Sequence, residues 1–323
     1  MATAQVAVAE SWRINNDTSK GAHFVDINAA MASADVKDGD VLYLDPGCLI
    51  TSEQTITKAV TIIGTGWSST MLYTPATISG IFNVNVVGAK MMSLKFTNVV
   101  RIYSQNVVME RCYMRNVEGS ADKATFIQCW LNYTTGSNGT IVVNGTNSSS
   151  YWKFYNCIIQ HSQGLRDCSP FKYISNVELI NNLIIGCGEN ITTLIAKNNI
   201  FLGGYYTLKP ESLNAASLKY NCFSLDPSTY LENYPDNTFS NSKSLSHWVV
   251  QSGVDGAQFQ LSENSPAKGV GEGGIDCGPF DGLYPFVLGG YPKHIPYFTE
   301  AVVPAQPTDG KVKVSLKIVN QND

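Results

Sequence analysis

Charged residues are scarce in this chain of 323 residues, since Lys, Arg, Asp and Glu make up 15%, against about 25% in an average soluble domain. With a net charge of −4 and no run of Lys or Arg, the chain lacks the basic footprint that nucleic-acid binders need. No apolar stretch approaches the roughly 20 residues that span a bilayer, so no transmembrane segment is predicted. The cysteines form no CxxC pair and no zinc-type cluster with His, so no metal site is predicted.

Hydrophobic residues and asparagine take the place of charge. The hydrophobic share of 44% is enough for a sizeable core and excludes a wholly disordered chain. Asn is as frequent as Gly, with 27 of each. Because Asn and Gly favour turns over long helices, this composition indicates a fold rich in corners.

A polar residue followed by an apolar one recurs through the middle of the chain at intervals of 17 to 28 residues. Short runs rich in Ile, Val, Leu, Phe and Tyr surround each pair, and Gly, Asn or Ser bounds them. Irregular intervals around a constant local pattern predict a parallel β-helix, in which strands stack while loop lengths vary. The pairs are Ser93–Leu94, Arg111–Cys112, Gln128–Cys129, Asn156–Cys157, Asn182–Leu183, Asn199–Ile200 and Asn221–Cys222.

Two columns of this repeat have a structural interpretation. Asn tolerates the left-handed backbone of a tight corner and can bond to Asn on the next coil, which predicts a ladder. Its members would be Asn156, Asn182, Asn199 and Asn221. Four of the eight cysteines follow the polar residue and are expected to stack in the core. Disulfides stay an alternative, although parallel side chains in register make the required dihedral angle hard to reach.

Three N-terminal segments resemble the opening of right-handed parallel β-helix proteins of the pectate-lyase-like superfamily. They are residues 12–16 (WRINN), 36–47 (VKDGDVLYLDPG) and 56–64 (ITKAVTIIG). The resemblance implies that a short helix, here within residues 23–34, caps the open end of the solenoid. Such a cap is physically required, because an open end exposes unpaired backbone and apolar side chains.

The C-terminal part resembles the ending of secreted bacterial β-helices, especially those of Bacteroides-like organisms. The matching segments are residues 265–269 (SPAKG) and 275–280 (IDCGPF). We therefore expect an all-β fold with a lead-in at 1–22, a capped right-handed parallel β-helix at 23–284 and a Pro-rich C-terminal extension at 285–323. Alternation within 311–319 predicts a strand that pairs with residues 301–303 and packs back on the solenoid.

The resemblance also implies a location and a chemistry. Family members are secreted, so the chain is expected to be secreted, periplasmic or on the cell surface, with its signal peptide removed. Enzymes on this scaffold cleave polysaccharides by Ca²⁺-assisted elimination or by hydrolysis with a carboxylate pair. The acidic sets that these mechanisms need are not identifiable here. Ca²⁺ is thus implied by family analogy only, and no other cofactor is predicted.

Two groups of residues are candidates for a site. Charged residues in loops after the polar column could line one groove, as catalytic candidates or as solvated loop charges. They are Arg115, Glu118, His161, Arg166, Asp167 and Glu189. Aromatic residues that flank the polar loop 134–150 could stack on sugars, or they could pack in the core. They are Trp130, Tyr133, Tyr151 and Trp152.

The missing acidic set favours a surface protein that binds polysaccharide without chemistry. A polysaccharide lyase or glycoside hydrolase with a nonstandard charged groove is the first alternative, and a structural surface spacer is the second. Fold alone does not decide among them.

Overall fold

Most strands of the protein form three all-parallel sheets. The structure is a computed structural model that describes residues 9–68, 70, 72–133, 143–161, 171–186, 192–203, 208–293, 296–302 and 314–319. Within these residues, most coils add one strand to each sheet. Sheet A consists of Ser11–Ile14, Val41–Leu44, Thr61–Ile63, Lys90–Met92, Val108–Glu110, Thr125–Ile127, Lys153–Tyr155, Val177–Ile180, Thr193–Lys197 and Ser217–Lys219.

The other two sheets follow the same order along the axis. Sheet B consists of Leu49–Ile50, Thr77–Ile78, Lys95–Phe96, Tyr113–Met114, Trp130–Tyr133, Ile158–His161, Leu183–Ile185, Ile200–Leu202, Cys222–Phe223 and Thr238–Phe239. Sheet C consists of Gln54–Ile56, Phe82–Val84, Val99–Ile102, Asn116–Gly119, Val143–Ser150 and Phe171–Ser175. This is the predicted right-handed parallel β-helix, the hand that parallel crossovers adopt almost without exception.

Like residues stack in the interior because each strand sits in register on the next. Phe126 pairs with Phe154 in sheet A, and their rings are stacked with centroids 4.7 Å apart. Phe201 and Phe223 repeat this arrangement in sheet B at 4.8 Å. These distances match the strand spacing of about 4.8 Å, so the backbone repeat itself brings the rings into contact.

A short helix covers the N-terminal end of the solenoid, as the resemblance implied. It runs from Ile27 to Ala32, within the expected range, and buries Ile27, Ala30 and Met31. The Asp26 carboxylate caps it by accepting a hydrogen bond from the Ala29 amide at 2.7 Å. The segments 12–16, 36–47 and 56–64 contribute the first three strands of sheet A. The remaining helices are short: Pro227–Tyr230 and Leu245–Trp248 are α-helical, and Thr18–Lys20, Pro210–Leu213, Ala257–Phe259, Glu272–Gly274 and Leu288–Gly290 are 3-10.

The asparagine ladder exists, but its register differs from the prediction. Asn182 donates to Asn199 Oδ1 at 2.9 Å, Asn199 to Asn221 Oδ1 at 2.9 Å, and Asn221 to Asn237 Oδ1 at 3.0 Å. Asn156 is not part of it. Asn156 occupies the preceding left-handed corner position, with φ 51°. That corner column, one residue before the ladder, contains Ser93, Arg111, Gln128, Asn156, Asn181, Asn198 and Tyr220.

Three cysteines continue the ladder column towards the N-terminus. The Cys157 amide donates to Asn182 Oδ1 at 2.8 Å, and the Cys129 amide donates to Cys157 Sγ at 3.4 Å. Cys112, Cys129 and Cys157 are fully buried, so the predicted stack is confirmed for these three. Cys222 was wrongly placed in it. Cys222 faces outward on sheet B, because its neighbour Phe223 takes the inward position.

An outer layer, residues 240–293, covers the outside of sheet B. It forms a second apolar core with residues of sheet B and its neighbourhood. Trp130 meets Phe259 of the outer layer at 5.5 Å between ring centroids, and Trp67 meets Phe286 at 6.2 Å. The C-terminal motifs 265–269 and 275–280 lie in this layer, after the last parallel strand of the described residues, Thr238–Phe239.

The last part of the outer layer, residues 277–293, runs back over successive coils and is called the return segment. Side chains of the corner column hold it by its backbone carbonyls. Asn156 Nδ2 donates to Pro279 O at 3.0 Å and to Asp281 O at 2.6 Å. Gln128 donates to Pro285 O, and Arg111 Nη1 donates to Tyr291 O at 3.1 Å. The polar column therefore anchors a second layer in addition to turning the chain.

The C-terminal strands form the predicted pair. Tyr297–Val302 and Ser315–Val319 are antiparallel. The predicted packing on the solenoid is not seen for the second strand. Leu316 and Ile318 in this strand, and Val314 just before it, are each about half exposed. The predicted domain boundaries at 22 and 284 stay predictions.

Candidate functional site

The outer face of sheet A differs from that of sheet B because, among the residues that the structure describes, no second layer covers its middle. Residues on this face alternate with the buried ones along each strand. In Lys153–Tyr155, Phe154 is buried while Lys153 and Tyr155 face out. Lys153 forms an ion pair with Glu178 on the next strand at 3.1 Å, and Lys90 forms one with Glu110 at 3.4 Å.

A groove of about 650 Å³ lies on this face, between the corner that precedes sheet A and the return segment. Tyr151 and Tyr155 of the solenoid line it together with Tyr284 of the return segment. Lys123 and Lys153 supply positive charge at the same surface. Concave sites with aromatic walls and a few polar groups are typical of ligand binding.

The corner before sheet A sets one edge of this groove. Asn106, Lys123 and Tyr151 occupy the same position on successive coils, with φ between 57° and 58°. A left-handed backbone is uncommon for residues other than Gly, and rarer still for a bulky one such as Tyr. At this corner it directs three side chains to one edge, where Tyr151 is 46% exposed. Backbone strain of this kind is often found at binding sites.

Tyr155 is held rigidly in the groove. Its hydroxyl donates a hydrogen bond to Glu178 Oε2, which also pairs with Lys153. Burial, followed by the hydrogen bond to the Glu178 carboxylate, raises the pKa of Tyr155 above its ordinary value. Tyr155 therefore stays a neutral aromatic platform to a higher pH than an ordinary tyrosine. The Tyr284 ring lies 6.1 Å away at an interplanar angle of 39°.

A second cavity of about 660 Å³ adjoins the groove on the other side of Tyr284. Its lining includes Arg111, Gln128 and Lys293. Arg111 Nε donates to Gln128 Oε1 at 2.9 Å, and Lys293 pairs with Glu110 at 3.4 Å. Because Glu110 also pairs with Lys90, the carboxylate is enclosed by two cations.

A third, smaller cavity of about 290 Å³ lies nearer the N-terminal cap. It is lined by Tyr43 and Tyr73 of the solenoid and by Pro292 and Pro296. Within the described residues, the groove and the third cavity lie along the outer face of sheet A, whereas the second cavity lies between the corner that follows sheet A and the return segment.

The predicted charged residues do not form one groove as far as the structure describes them. His161 is fully buried at the end of Ile158–His161, on the same side of its strand as the core residue Ile159. Glu118 lies on the outer face of sheet C, where Arg101 Nε is 3.4 Å from its carboxylate. Arg115 lies half-buried one residue before the sheet C strand Asn116–Gly119. Arg166, Asp167 and Glu189 lie outside the described residues.

The predicted aromatic residues take different places. Trp152 is fully buried and donates from Nε1 to Ala121 O at 2.7 Å, and Trp130 is 9% exposed beneath the outer layer. Both rings are used in packing in this structure. The side chain of Tyr133 is not among those described. Tyr151 lines the groove.

Sequence reasoning missed Tyr155 and Tyr284. The alternation of Lys153, Phe154 and Tyr155 is a signal that could have identified an outward tyrosine. No local signal places Tyr284 beside it, because the two residues belong to different layers.

Among the described residues, no cluster of three or more His, Cys, Asp or Glu is arranged to hold a metal ion. No helix in the described part of the chain has the length and hydropathy to cross a membrane. No family model, curated protein or solved structure matches the chain.

Proposed function

We propose that this protein is a secreted or cell-surface β-helix protein of the pectate-lyase-like superfamily that binds polysaccharide in the groove of sheet A. The observation that carries the proposal is the set of three tyrosines, Tyr151, Tyr155 and Tyr284, around one open groove. Aromatic rings offer a flat apolar face with a polar edge, which suits the faces and hydroxyls of sugars. Superfamily membership and location rest on the sequence resemblance.

The placement of the groove and the third cavity along sheet A supports a chain-like ligand. Tyr43 is connected to Tyr155 through the register Ile63, Met92, Glu110 and Ile127. Five strand steps of about 4.8 Å give a path of about 24 Å along the axis. A linear oligosaccharide could contact both along this path, whereas a single sugar would fill one.

The charges at the site favour binding over hydrolysis. Inverting hydrolysis uses two carboxyl groups about 6.5 to 9.5 Å apart, one as acid and one as base. Here Glu178 is engaged by Lys153 and Tyr155, and Glu110 by Lys90 and Lys293. Both carboxylates form ion pairs that link neighbouring strands, which accounts for them without a catalytic role.

The test is binding of purified protein to a panel of plant, host and bacterial polysaccharides by affinity electrophoresis, followed by calorimetry with oligosaccharides of increasing length. We expect Tyr151→Ala and Tyr284→Ala each to weaken binding at least about tenfold. Stacking of a flat ring on one aromatic side chain is of the order of 1–3 kcal/mol, and about 1.4 kcal/mol corresponds to a tenfold change in affinity. Affinity should rise with length until the path is filled.

Tyr173→Ala is the matched control. Tyr173 is also left-handed and 56% exposed, but it lies in a strand of sheet C. Equal loss in Tyr173→Ala and Tyr151→Ala, or full binding in both groove variants, would contradict the proposal. New reducing ends or unsaturated products from any polysaccharide would instead establish an enzyme.

A further inference from the structure

Cys222 and Cys277 are free thiols in this structure that come together from two layers, whereas the stacked cysteines come from successive coils. Cys222 lies on the outer face of sheet B, and Cys277 begins the return segment. They are 55 positions apart in the sequence but belong to the same apolar cluster, and each is at most 2% exposed. Both thiols therefore lie in the interface between sheet B and the outer layer.

Hydrogen bonds to the backbone fix the positions of Cys277 and Cys222 on the two sides of this interface. The Cys277 thiol donates to Tyr220 O at 3.0 Å, and the Gly278 amide donates to Asn198 O at 2.8 Å. On the solenoid side, the Cys222 amide donates to Asn199 O at 2.8 Å. Cys112, Cys129 and Cys157, by contrast, stack in register with parallel side chains, an arrangement that disfavours the disulfide dihedral angle.

We infer that Cys222 and Cys277 form a disulfide that fastens the start of the return segment to the solenoid. The oxidant is a small-molecule or protein disulfide of an oxidising compartment. The thiolate of one cysteine attacks the disulfide of the oxidant, which forms a mixed disulfide and releases the first thiol of the oxidant. The thiolate of the other cysteine then attacks this mixed disulfide and releases the second thiol of the oxidant. Two electrons pass to the oxidant, and the two cysteine protons end on the released thiols. The inference rests on the proposed secreted or cell-surface location but not on the proposed ligand.

The burial of the Cys222 thiol determines when during folding the disulfide can form. The contact with Cys277, followed by burial, raises the pKa of the Cys222 thiol well above its usual value. Since the thiolate is the attacking species, the folded reduced protein should oxidise slowly. The bond should form while the outer layer is still docking.

The experiment is refolding of the reduced protein in a mixture of oxidised and reduced glutathione, followed by alkylation, digestion and mass spectrometry. We expect a peptide pair that joins Cys222 to Cys277, with a mass lower by two hydrogen atoms. Because a crosslink restricts the unfolded chain, adding reductant should lower the Tm by about 5–10 °C.

Cys277→Ala should remove the dependence of the Tm on reductant, whereas Cys48→Ala should retain it, because Cys48 is buried in the main core. If Cys277→Ala does not fold, the peptide map of the unaltered chain decides. Recovery of both cysteines as alkylated thiols after denaturation, at every glutathione ratio that permits folding, would overturn the inference.

Discussion

Sheets A and B present opposite solutions to the same problem, the outer face of a solenoid. On sheet B most outward residues from Tyr113 to Cys222 are apolar, and an outer layer covers them. On sheet A the outward residues include tyrosines and paired lysines, and the face between the corner and the return segment stays open. The strands are alike in backbone, so what covers a face is decided by its side chains. The open face is where a ligand can bind.

The largest expected effect is a loss in the free energy of unfolding when a large side chain on the covered face of sheet B is removed. Trp130→Ala removes a ring that packs on Trp67, Tyr113 and Phe259. A buried large-to-small change of this kind lowers the free energy of unfolding by about 3–5 kcal/mol. Tyr151→Ala on the open face should change it by less than about 0.5 kcal/mol, as exposed positions do.

Denaturant titration followed by tryptophan fluorescence and circular dichroism would measure both variants. A loss in Trp130→Ala that is no greater than in Tyr151→Ala would show that the outer layer contributes little to stability. The contrast between the two faces would then be wrong.

A smaller effect is expected from removing one side chain that holds the return segment by hydrogen bonds. Asn156→Gly keeps the left-handed backbone accessible but removes the hydrogen bonds to Pro279 O and Asp281 O. The loss of roughly 1–1.5 kcal/mol should speed protease cleavage within residues 277–293 by about five- to tenfold under native conditions.

Asn176→Gly is the matched control for this change. Asn176 has the same left-handed backbone, with φ 53°, but it lies at the corner before sheet A. Equal cleavage rates in the two variants would mean that Asn156 does not hold the return segment.

The smallest effect concerns pH on the open face. The pKa of Tyr155 is raised in the folded protein by burial and by Glu178, whereas an unfolded tyrosine ionises near pH 10. The folded state therefore keeps this stabilisation below about pH 10 and loses it as the pH rises further, because only the unfolded chain releases the proton easily.

Tyr155→Phe should consequently lose stability less steeply than the unaltered protein between about pH 10 and 12, in thermal melts at a series of pH values. Tyr103→Phe, at a half-exposed position, should follow the unaltered protein. Identical slopes in all three proteins would show that Tyr155 is not held by Glu178.

Local sequence patterns predicted the fold, but they did not determine the register of the asparagine ladder to the exact residue. Asn181 and Asn182, like Asn198 and Asn199, are adjacent, so either member of each pair fits a corner motif. In the structure the first member takes the left-handed corner and the second joins the ladder. Asn156 has no such neighbour, and the residue after it, Cys157, takes the ladder position.

The candidate site was less accessible to sequence reasoning. His161 and Trp152 have the chemistry of a site, but His161 alternates into the core along its strand, and Trp152, just before the strand Lys153–Tyr155, is buried on the same side as Phe154. Tyr151 was identified because it flanks a polar loop, and it does line the groove. Tyr284 became part of the groove only because the chain returns across the coils more than 100 residues later.

The sequence by itself determined the repeat, the all-β class and the terminal strand pair, because each depends on residues close together in the chain, and the resemblance implied the capped N-terminus. Only the tertiary structure decided which face would be covered, which cysteines would meet and which tyrosines would share a groove. These outcomes depend on where the outer layer docks. Its docking is set by apolar contacts and hydrogen bonds between residues far apart in sequence, which no local periodicity records.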